Sequence, residues 1–144
     1  MGTPADIDAS SPPVDWRRRL ALFAQRFWQP TFACMTCMPG SLSALGSLAH
    51  WAIALQTGLA TGILALAITF TPAARLFANR WGNAVAVAAL TMIGDGWTHA
   101  RHDDFRPIEV VLTGVVSGLL ALVAWYLLED RARRVRAAWA RLSR

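Results

Sequence analysis

One run of the chain constrains everything else. From Trp51 to Phe70 the sequence reads WAIALQTGLATGILALAITF, without a charged side chain. At ~1.5 Å per residue, a helix of about twenty residues covers the ~30 Å hydrocarbon core of a bilayer. An altered copy stands further on. Ile53–Phe70 and Glu109–Tyr126 share Thr57/Thr113, Gly58/Gly114, Gly62/Gly118, Leu64/Leu120, Ala65/Ala121 and Leu66/Leu122 in register. Two like apolar helices predict an all-α, polytopic transmembrane bundle.

Composition agrees. Of 144 residues 55% are hydrophobic and 16% charged, against about 25% charged in an average soluble domain. The net charge is +5, and all 14 basic residues are Arg. They gather beside the apolar runs, which fits positive-inside orientation and anionic headgroups better than nucleic acid. Nucleic acid is therefore not an expected partner; the lipid bilayer is. Both cysteines lie in one CxxC, so no disulfide framework is expected.

The N-terminal 1–15 stretch is polar, with Pro and Asp, and predicts disorder without a cleavable signal peptide. Residues 16–28 (WRRRLALFAQRFW) place Trp16, Leu20, Phe23 and Phe27 on one helical face. With Arg17, Arg18, Arg19 and Arg26 mostly off that face, this reads as an interfacial helix. Residues 29–49 are uncharged but weakly apolar, and Pro30 and Pro39-Gly40 interrupt them. They predict a kinked or re-entrant membrane segment. Clear spans are expected at 50–70, 82–100 and 108–128, all within a membrane domain over 29–128. A basic cytoplasmic tail follows at 129–144.

Charge counting arbitrates the number of crossings. Three crossings divide the Arg residues eight inside to six outside; four divide them twelve to two. The positive-inside rule favours four, with the C-terminus in the cytoplasm of a bacterial-type inner membrane.

Three constellations carry the chemistry. Cys34-Met35-Thr36-Cys37-Met38 offers two thiols flanked by thioethers, a soft-metal or redox pattern; Cys and Met also fill helix interfaces as pliable apolar residues. Gly94-Asp95-Gly96-Trp97-Thr98-His99-Ala100-Arg101-His102-Asp103-Asp104 puts Asp95, His99, His102 and Asp103 on one face if helical. A carboxylate in a span is costly unless partnered, which singles out Asp95; a solvated loop is the bland alternative. A soft or transition metal held by Cys34, Cys37, His50, Asp95, His99 and His102 is one expectation. The third constellation is the pair of GxxxG stripes, Gly58/Gly62 and Gly114/Gly118, which permit close helix packing.

No Ser-His-Asp order, Walker loop or dinucleotide fingerprint occurs, and polar residues are scarce. The leading expectation is a small non-enzymatic accessory or structural membrane protein. It would pack, oligomerise or meet a membrane-complex partner through its GxxxG helices. Metal handling, transport and thiol redox are the alternatives.

Overall fold

The computed structural model describes residues 16–37, 47–102 and 106–142. Four α-helices make up almost all of them. They are α1 (Trp16–Cys37), α2 (Leu48–Ile68), α3 (Arg80–Arg101) and α4 (Pro107–Leu142), with a 3-10 turn over Pro72–Ala78. Each helix packs on the next, and α4 returns to α1, closing a four-helix ring. Neighbours run antiparallel. The ends of α1 and α3 therefore share an upper end of the bundle with the starts of α2 and α4. The two repeat helices, α2 and α4, are parallel and stand across the ring from one another.

Local chemistry explains the boundaries. Pro72 cannot continue α2, and the chain turns there into the 3-10 segment. Asn79 then caps α3, its side-chain oxygen accepting from the Gly82 amide at 2.7 Å. Pro107 opens α4 at a position where its missing N–H costs nothing.

One expectation needs correction. The stretch at 16–28 is not a separate interfacial helix: α1 runs unbroken from Trp16 through Pro30 to Cys37. Pro30 is buried at a helix interface, where neighbouring helices can offset the break a proline makes. Beside it, the Thr31 hydroxyl donates to the Phe27 carbonyl at 2.7 Å. The three clear spans are met in part: among the described residues two helices are long and apolar enough to cross a membrane, α2, and α4 over Pro107–Arg131. In α3, Asn83, Thr91, Asp95, Thr98 and His99 lower the mean hydropathy, yet all five face inward. The expected disorder over 1–15, the expected break at Pro39-Gly40 and the Asp103-Asp104 pair lie outside the described residues.

The GxxxG stripes are used inside the chain. A Cβ on Gly58 would strike the Phe27 carbonyl and the Thr31 hydroxyl of α1, and one on Gly62 would meet the Phe23 ring at 2.9 Å. A Cβ on Gly114 would strike Met92 of α3, and one on Gly118 would lie 2.9 Å from the Ala84 carbonyl. Each repeat helix is thus drawn against the helix before it, in two like hairpins.

The interior is unusual in what it holds. Its apolar residues are mostly alanines, such as Ala33, Ala54, Ala65 and Ala121. Threonines from all four helices lie among them: Thr31, Thr57, Thr61, Thr91, Thr98 and Thr113. Most large apolar side chains point outward instead, Leu59, Ile63, Ile93, Val115, Leu119 and Val123 among them, while Met35, Val87 and Leu90 stay inside.

Candidate functional site

The polar interior gathers around Asp95. Six residues separate it from Arg101 at the end of α3, so it lies ~9 Å below the upper end of the bundle. Its side chain is 0% exposed. The Thr57 hydroxyl of α2 donates to Oδ1 at 2.8 Å. One turn on, His99 lies 3% exposed. Its Nδ1 is 3.0 Å from the Asp95 backbone carbonyl and 3.5 Å from Asp95 Oδ1. That geometry calls for a proton on Nδ1, donated mainly to the carbonyl. Asp95 Oδ2 has no hydrogen-bond partner. Thr61 and Thr91, one turn down on α2 and α3, have unpartnered hydroxyl oxygens as well.

Cys34 of α1 sits beside Asp95 and Thr57, 1% exposed. Cys37 is half-buried near Thr113 of α4, and both thiols are free. The fold thus brings Cys34, Asp95 and His99 into one interior from two helices. It does not bring in the rest. His102 lies on the outside, its Nε2 3.3 Å from Gln56 Oε1. His50 is half-buried, and its Nδ1 lacks a partner. Among the described residues no three His, Cys, Asp or Glu side chains are grouped to hold a metal ion.

The opposite end of the interior holds a group that sequence reasoning placed elsewhere. Arg26 is expected at headgroup phosphates, yet it is 3% exposed. Its Nη1 donates to Gln29 Oε1 at 3.0 Å, and its Nη2 donates to Asn83 Oδ1 of α3. Nε has no partner. No carboxylate pairs with it among the described residues. The one signal in the sequence was Gln29, an amide one turn from Arg26 within an uncharged stretch. Twelve residues of α3 separate Asn83 from Asp95, so the buried cation and the buried carboxyl stand ~18 Å apart along the bundle.

Such an arrangement can bind and release a small positive charge at Asp95. A buried guanidinium at the far end would oppose a like charge there. No known protein family, curated protein or solved structure matches this chain.

Proposed function

We propose that the chain is a non-enzymatic membrane protein of four crossings, and that Asp95 is a proton-binding site at membrane depth. The lower end, with the start of α1 and the basic end of α4, faces the cytoplasm. Protons reach Asp95 from the upper end, past His99, and Arg26 closes the lower end to them.

The observation that carries this reading is the polarity of the bundle. A soluble four-helix bundle buries Leu and Ile and shows water its polar side chains. Here an Asp, a His, an Arg and a set of threonines are inside, and most of the large apolar residues are outside. Only 33% of each apolar window in α2 and α4 is buried within the protein. A soluble core helix of that composition would be buried through most of its length. An ionisable side chain inside such a bundle is retained at a cost, which makes it the natural functional candidate. At Asp95 the unpartnered Oδ2 is the acceptor a proton would occupy.

Other titratable groups facing the site are Cys34 and Cys37 from α1, His99 on α3, and Glu109 at the head of α4. Glu109 is engaged by Arg106 at 3.0 Å. The test is infrared difference spectroscopy of the purified protein across a pH titration. A carboxylic-acid band that titrates in the wild type should vanish in Asp95→Asn and persist in Glu109→Gln. A band unchanged in Asp95→Asn would rule the site out.

A further inference from the structure

A groove of about 680 Å³ runs down the outer surface between α2 and α3. Leu59, Ile63 and Ile93 line it. Gly94 forms part of the floor: with no side chain, it lets α3 close onto Thr61 of α2. From Gln56 to Leu64 the α2 wall is ~12 Å long, against ~15 Å for one leaflet's share of the hydrocarbon core. The groove is thus apolar and about one leaflet deep.

Its upper end is different in kind. Gln56, Arg101 and His102 replace the aliphatic lining there. The Arg101 guanidinium lies 4.8 Å over the Trp97 ring, a cation–π contact that holds it at the groove mouth. No described carboxylate pairs with Arg101, and no acidic side chain lines the groove. Arg presents a planar fork of donors that matches phosphate oxygens. Asp103 and Asp104 follow in the chain, so the segment is not a general positive surface; selectivity would come from where Arg101 sits.

We infer that this groove seats an acyl chain of an anionic phospholipid, with the lipid phosphate on Arg101 and His102. The inference rests on the bundle being membrane-embedded, and it concerns a different face from the Asp95 interior. It assigns the bound lipid to the leaflet at the upper end of the bundle.

Native mass spectrometry of the full chain tests it. The protein is purified from detergent with equal phosphatidylglycerol and phosphatidylcholine of the same acyl chains. Wild type should retain one phosphatidylglycerol over phosphatidylcholine by about fivefold, the effect of roughly one basic side chain at a membrane surface. Arg101→Ala/His102→Ala should bind both lipids equally, and Ala60→Phe, which fills the groove, should retain neither. Circular dichroism checks that both variants stay helical. Equal retention by the wild type, or a preference that survives in the double variant, would overturn the site. Alkaline carbonate extraction of cell membranes separates the two ideas. A chain that washes off refutes the membrane reading itself; one that stays but shows no lipid preference refutes only the groove.

Discussion

Asp95 and Arg26 are both buried ionisable side chains, and the sequence marks them unequally. A carboxylate within an apolar stretch is conspicuous, because each alternative position for it would cost less. Arg26 lies among aromatics and three other arginines, where a basic residue is expected to reach for phosphates. Helical periodicity relates one face of α1 to another, but it does not say which face meets α3. Asn83 is the side chain that holds Arg26 across that gap. Asn83→Ala should lower stability by about 2 kcal/mol, the worth of a buried hydrogen bond to a charged group. Asn83→Asp keeps the acceptor and should not show that loss. Thermal unfolding in detergent measures both; an Asn83→Ala protein that melts with the wild type would mean Arg26 is held by something else. At the other end, Thr57→Val removes the hydroxyl that donates to Asp95 Oδ1. About 1 kcal/mol should be lost, the worth of an interhelical hydrogen bond within a helical bundle.

Among the elements, the repeat was the clearest signal and its use was the least obvious. GxxxG predicts close contact without naming the partner, and a second copy of the chain was as good a candidate as a neighbouring helix. The structure spends the stripes on α1 and α3. Their glycines should therefore differ in sensitivity according to what each faces. Gly58→Ala drives a methyl into the Phe27 backbone carbonyl, which cannot turn away, and should cost at least the 1–3 kcal/mol typical of overpacking. Gly62→Ala meets only the Phe23 ring, which can rotate, and should cost less. Unfolding of the two variants gives the ranking, and an equal effect would count against the hairpin packing. Helix α3 shows the limit of hydropathy reading. Its average is lowered by residues that face the bundle interior, because an average over a helix discards the side on which each residue lies.

For the molecule as a whole, the four-helix ring puts the start of α1 and the basic end of α4 together. Arg counting favours the same grouping: with Arg26 taken into the interior, eleven arginines fall on one side and two on the other. α4 is 36 residues long, or ~54 Å, longer than the ~30 Å that a hydrocarbon core requires. In a Cys34→Ala/Cys37→Ala background, single cysteines at Ser47 and Arg106 should react with a membrane-impermeant maleimide added outside cells. Cysteines at Trp16 and Arg131 should react only after the membrane is opened. Labelling of Trp16 and Ser47 from the same side would mean that α1 does not cross.

The sequence by itself determined the all-helical class, the two strongest apolar helices, the residues they share in register, and Asp95 as a candidate site residue. Those are local properties: run length, composition, and the cost of one charge in an apolar stretch. Only the tertiary structure decided that α1 is one helix through Pro30, that the glycine stripes are consumed inside the chain, and that Arg26 turns inward. It also decided that His102 stands apart from Asp95 and His99. The physical reason is common to all of these. Each depends on which helix face meets which neighbour, and a single helix's pattern holds the angle between its residues but not its rotation against the rest of the bundle.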